Sequence, residues 1–98
     1  MLTIQQIKDT VADYFKDKPV KSVYLFGSYA RGDAKEDSDA DLLLDLDYEK
    51  KIGLEFARWW LVLEKKFKKK VDLVPSDSAY PKILKSAEAD KILIYQIQ

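Results

Sequence analysis

Ala40 to Asp47 reads Ala-Asp-Leu-Leu-Leu-Asp-Leu-Asp, an alternation at period 2 that restricts this stretch to a β-strand with two unlike faces. Leu42, Leu44 and Leu46 are expected to face a core. Asp39, Asp41, Leu43, Asp45 and Asp47 take the other side. Asp39 and Asp41 therefore leave the same face about 7 Å apart, at a rise of about 3.3 Å per residue.

Two carboxylates so placed suit a hard divalent cation, and magnesium in particular is held by one or two carboxylates together with substrate phosphates. A phosphate cradle is expected just upstream. Lys21 to Phe26 is an apolar, β-prone run that stops at Gly27-Ser28, where a missing Cβ allows a sharp turn and a close phosphate. Ser28 is expected to N-cap a short helix starting at Tyr29-Ala30-Arg31, whose free N–H groups would meet phosphate oxygens. A Gly-Ser turn followed ten residues later by Asp-x-Asp thus predicts a metal-nucleotide site.

Gly27, Ser28, Ala30, Arg31, Gly32 and Ala34, followed by Ser38, Asp39, Asp41 and Leu42, resemble the signature of the minimal nucleotidyltransferases. These are small members of the DNA polymerase beta-like nucleotidyltransferase superfamily. The spacing of the whole set is specific, whereas a lone Gly-Ser or Asp-x-Asp would not be. The resemblance implies catalytic, metal-holding roles for Asp39, Asp41 and a third carboxylate, Asp72, and nucleotide-binding roles for Gly27, Ser28, Arg31 and Ser38. It also implies two magnesium ions, ATP as substrate and attack of an acceptor hydroxyl at the α-phosphorus. Asp72 lies in Lys70 to Val74, a β-branched run closed by Pro75, and can meet the other two if the strands are neighbours. For Arg31, a surface ion pair is an equally good reading.

By the same resemblance the partner is a HEPN-type helical protein, in some systems an RNase toxin silenced by AMP added to a tyrosine. An antitoxin that transfers AMP from ATP is the leading reading. An antitoxin or assembly subunit that acts by contact alone is the alternative. A chain of 98 residues is expected to be a single minimal nucleotidyltransferase domain spanning 1–98, too short to enclose an antibiotic acceptor as well.

Composition removes other chemistries. The chain has no His and no Cys, so imidazole bases, Ser-His triads, zinc sites of the usual ligands and disulfides are all excluded. Proton transfer falls to carboxylates. Seventeen basic residues balance seventeen acidic ones, which weighs against a primary nucleic-acid role. The start lacks a secretory pattern and no apolar run reaches the length of a membrane span, so a cytoplasmic protein without membrane contact is expected. Lys65 to Lys70 is read as a basic helix end, with phosphate or acidic-partner contact as the alternative.

The expected fold is α/β (α+β): a mixed β-sheet with flanking helices, in the order α-β-α-β-α-β-α, plus an apolar tail at Ile92 to Tyr95 of undecided type. Thr3 and Gln6 are spaced as a capping box for the first helix, which carries Ile4, Ile7, Val11 and Tyr14 or Phe15 on its apolar face. A long helix is expected from about Glu49 to Lys68, with Ile52, Phe56, Trp59, Trp60, Leu63 and Phe67 inward. Leu54, Ala57 and Leu61 fall on a second face, either plain exposed surface or a contact for the partner or a second copy. A last helix is expected over about Tyr80 to Ala87.

Overall fold

Four strands in the spatial order β3-β2-β1-β4 form one mixed sheet in the computed structural model, which describes residues 1–97. β1 (Val20–Phe26) runs antiparallel to β2 (Ala40–Leu46) on one side and to β4 (Ile92–Gln96) on the other. β2 and β3 (Val71–Pro75) are parallel, which requires a crossover, and α3 (Glu55–Phe67) supplies it. The undecided tail is β4. Its Ile94 is buried in the main core while Leu93 stands exposed, the two faces of a strand.

The first helix, α1 (Ile4–Phe15), starts as its capping box predicts: Thr3 Oγ1 accepts from the Gln6 N–H at 3.0 Å, and Gln6 Oε1 accepts from the Thr3 N–H at 2.8 Å. Ile7, Val11 and Phe15 of α1 meet Trp59, Leu63 and Phe67 of α3 over one sheet face, built from Val23, Leu25, Leu42 and Leu44. Phe15 and Trp59 lock the two helices edge to face, with ring centroids 5.6 Å apart. Val20 and Val23 both face this core although they are an odd number of residues apart. An irregularity in the β1–β2 register between Val20 and Ser22 makes up the difference.

On the opposite face Leu43 and Phe26 are buried with Ala87 of α4 (Pro81–Asp90), and Tyr24, Val74, Ile83 and Leu84 pack around them. α4 runs three residues beyond the expected Ala87. It is this helix that covers the acid-bearing face of β2 and brings its own C-terminal end to that face.

The expected helix from Glu49 begins instead at Glu55. Asp47 accepts the Glu49 N–H through Oδ1 and the Lys50 N–H through its carbonyl, Gly53 sits at φ 50°, and together they make turns of residues 47–54. Ile52 still packs on the core from that loop, so its apolar spacing imitates a further helical turn. Leu54 (91% exposed), Leu61 (68% exposed) and Ala57 do form an outward surface. No helix among the described residues is long and apolar enough to cross a membrane.

Candidate active site

β1 ends at Phe26 and the chain turns through Gly27 at φ 76°, a conformation that suits glycine because a Cβ there would crowd the backbone. The short α2 (Ser28–Arg31) follows and closes on Gly32, also left-handed at φ 87°. Gly27, not Ser28, is the N-cap. Ser28 is already helical and its side chain makes no capping bond, so the hydroxyl is not spent on the helix's own N–H groups as the sequence had implied. Those first-turn N–H groups still lack intrahelical acceptors.

A Cβ built on Gly27 would fall into the Asp41 carboxylate. The close approach that glycine permits here is therefore that of Asp41 itself. Asp41 stands opposite Phe26 in the β1–β2 ladder and opposite Asp72 in the parallel β2–β3 ladder. One register thus sets the Gly27 turn, Asp41 and Asp72 side by side. Asp39, one residue ahead of β2, is exposed.

These acids feel one another's charge. Burial, then the nearby charges of Asp72 and Asp39, push the Asp41 carboxyl up from its ordinary 3.8 to about 6, against the opposing pull of Arg31. Burial and Asp39 raise Asp72 as well. Asp45 shares their strand face but is exposed and lies farther along it.

Partners far away in the chain hold the acids in place. The Trp60 indole N–H donates to the Val71 carbonyl at 2.6 Å, and Glu64 accepts the Val71 N–H at 3.1 Å, so α3 grips the residue next to Asp72 on both sides. The Lys69 ammonium donates to the carbonyls of Ser38 at 2.6 Å and Glu36 at 3.2 Å and lies 4.8 Å from the centre of the Tyr29 ring. Lys69 is the half-buried member of the basic run and pins the loop leading into Asp39. The Ser38 hydroxyl accepts the Lys35 N–H at 2.8 Å, engaged in its own turn. Arg31 pairs with Asp90 at 3.0 Å and Asp33 at 3.2 Å.

The sequence matches the family described as the nucleotidyltransferase domain over residues 4–94. The chain belongs to the nucleotidyltransferase domain family. Among relatives of this nucleotidyltransferase, the protein adenylyltransferase MntA of Thermococcus cleftensis is 36% identical over 97 residues, covering 95% of this chain and 92% of that protein. The fold is similar, at TM-score 0.75 and 21% identity, to a chain in a crystal structure of a toxin-antitoxin with AMP-PNP, covering 99% of this chain and 76% of that one. It is also similar, at TM-score 0.71 and 17% identity, to a chain in the complex of a tri-AMPylated Shewanella oneidensis HEPN toxin with MNT antitoxin, covering 98% and 75%. At those identities the two structures speak for the fold of the nucleotidyltransferase, and they agree on its mixed four-stranded sheet and flanking helices.

Of the sequence-predicted residues, the fold brings Gly27, Asp41 and Asp72 directly together, with Asp39 and Ser28 at their border. Arg31 reaches the same corner through Asp90. Asp90, Trp60, Glu64 and Lys69 were not anticipated. No local motif marks them, since each acts across the fold on a residue distant in sequence.

Proposed function

We propose that this nucleotidyltransferase moves AMP from ATP onto a hydroxyl, a tyrosine of a HEPN-type helical partner, and serves as that partner's antitoxin. The observation that carries the reading is the register placing the Gly27 turn, Asp41 and Asp72 side by side. The name of the Thermococcus relative and the HEPN complex among the structural neighbours support the acceptor class. The neighbour with AMP-PNP supports the nucleotide.

The donor set fits magnesium. Asp39, Asp41 and Asp72 are hard oxygen ligands of the kind magnesium takes, and burial together with neighbouring carboxylate charge pushes the Asp41 and Asp72 carboxyls up. Among the described residues no group of three His, Cys, Asp or Glu side chains is already placed around one ion. Asp39, Asp41 and Asp72 would hold magnesium, and the chemistry it would supply there is neutralisation of charge on phosphoryl oxygens.

The chain's own residues then divide the work. The Ser28 hydroxyl and the first-turn amides of α2 hold phosphate oxygens, and Gly27 keeps that turn close to Asp41. Asp39 and Asp41 would hold the metal. Asp72, made more basic by burial and by Asp39, takes the proton as the acceptor oxygen bonds to the α-phosphorus and the bond to the bridging oxygen breaks, releasing pyrophosphate.

The test incubates the purified chain with magnesium, α-labelled ATP and a purified HEPN-type partner. Label is expected on a partner tyrosine with the wild type and not with Asp41→Asn. An unlabelled partner that nevertheless binds the wild-type chain would overturn the catalytic reading.

A further inference from the structure

Asp90 is the last residue of α4 and lies 63 positions from Gly27 in the chain, yet its carboxylate closes over the Gly-Ser turn. Oδ2 accepts from Arg31 Nη1 at 3.0 Å, and Oδ1 takes a long hydrogen bond of 3.4 Å from the Gly27 N–H. The Asp90 side chain is only 14% exposed.

Stability alone does not explain an acid at this place. The C-terminal end of a helix carries partial negative charge and favours cations. Asp90 is also one of the charges that disfavour an ionised Asp41. What holds Asp90 is a pair of donors, an amide at the turn and a guanidinium, and that pair is also the equipment that recognises a phosphate.

We propose that Asp90 is a further residue of the nucleotide site, an internal stand-in for phosphate that keeps Arg31 and the Gly27 amide oriented while the site is empty and releases both when phosphate enters. The inference rests on the reading of the Gly-Ser turn as the phosphate site. Its consequence has a definite sign. A residue that merely supports the site weakens nucleotide binding when altered, whereas removal of a competing anion strengthens it.

Asp90→Asn keeps the shape and a hydrogen-bonding oxygen but removes the charge. Magnesium-ATP and magnesium-tripolyphosphate are titrated calorimetrically into the wild type and this variant. Tripolyphosphate carries the phosphates without the nucleoside, so both ligands are expected to bind the variant about threefold to tenfold more tightly, the competition corresponding to one net hydrogen bond. In the transfer reaction KM for ATP falls while kcat holds. Equal or weaker binding by the variant, with the wild type binding normally, overturns the role of Asp90 and leaves the phosphate site standing. Failure of the natively melting wild type to bind either ligand overturns the site itself and this inference with it.

A measurement on the unaltered chain removes dependence on the variant's folding. The Asp90 side-chain carboxyl carbon and the Arg31 Nη1–H, which donates to it, are followed by NMR during tripolyphosphate addition. Both resonances are expected to shift along the binding curve, and an Asp90 carboxyl that stays put at saturation refutes displacement.

Discussion

Asp41→Asn is expected to make the ligand-free protein more stable while removing its activity. Asp41 is held beside Asp72 and Asp39, partly out of water, and its pKa stands at about 6 in the fold against the ordinary 3.8. A carboxyl whose pKa is raised by folding supports the native state fully below about pH 4, and that support is lost as pH climbs through 6. For a fully buried group the displacement would correspond to about 3 kcal/mol. Asp41 is partly exposed, so screening reduces the effect to about 1 kcal/mol. The side-chain amide that Asp41→Asn introduces cannot ionise and avoids that cost. In a chain of this size about 1 kcal/mol moves Tm by about 4–8 °C. Thermal melts at about pH 3.5 and about pH 7.5 with chelator present measure it: the variant should gain on the wild type at the higher pH and lose most of that gain at the lower, below the unfolded-state pKa. A variant that melts below the wild type at pH 7.5, or a gain independent of pH, would refute the electrostatic account of the site.

Asp72→Asn is expected to lower kcat by about 10²-fold or more with little change in ATP affinity, because its role is toward the attacking hydroxyl; a loss confined to affinity, seen by calorimetry, would contradict that role. Gly27→Ala must place a Cβ both at φ 76° and into the Asp41 carboxylate, so a stability loss of about 1–3 kcal/mol is expected by denaturant titration. Combining it with Asp41→Ala should recover part of that loss, and strict additivity of the two changes would show that the contact does not matter. Lys69→Met frees the carbonyls of Glu36 and Ser38, so transfer should fall about tenfold through a misplaced Asp39, with Lys69→Arg restoring part of it. Unchanged turnover in Lys69→Met would leave Lys69 as a surface cation.

The centre of the site was legible because strand alternation is a strict rule. Once Asp41 sits on one face and Leu42 and Leu44 on the other, side chains cannot be re-sorted without turning the whole strand over, and Asp72 between Val71 and Leu73 obeys the same rule. The parallel pairing that sets Asp41 opposite Asp72 was only a condition in the sequence, since pairing is decided by the α3 crossover and its packing. Boundaries were less legible. Ile52 packs from a loop yet keeps helical spacing, and Ile92 to Tyr95 is too short a run for periodicity to separate strand from helix. Ser28 has the chemistry of a cap, but the steric freedom of Gly27 places the turn one residue earlier. The residues that orient the acids were invisible for a different reason: Trp60, Glu64, Lys69 and Asp90 act through contacts that exist only after α3 and α4 have docked.

The central claim is that Asp39, Asp41, Asp72 and the Gly27-Ser28 turn form one metal-nucleotide site. Paramagnetic broadening by substoichiometric manganese, added with AMP-PNP to the isotope-labelled chain, tests it without any acceptor. The carboxyl signals of Asp39, Asp41 and Asp72 and the amides of Gly27 and Ser28 should broaden first and together, while Asp45, farther along the same strand face, and Asp47, just past the strand's end, stay sharp. Broadening that centres on Asp45 and Asp47, or spreads evenly over the surface acids, would contradict the account.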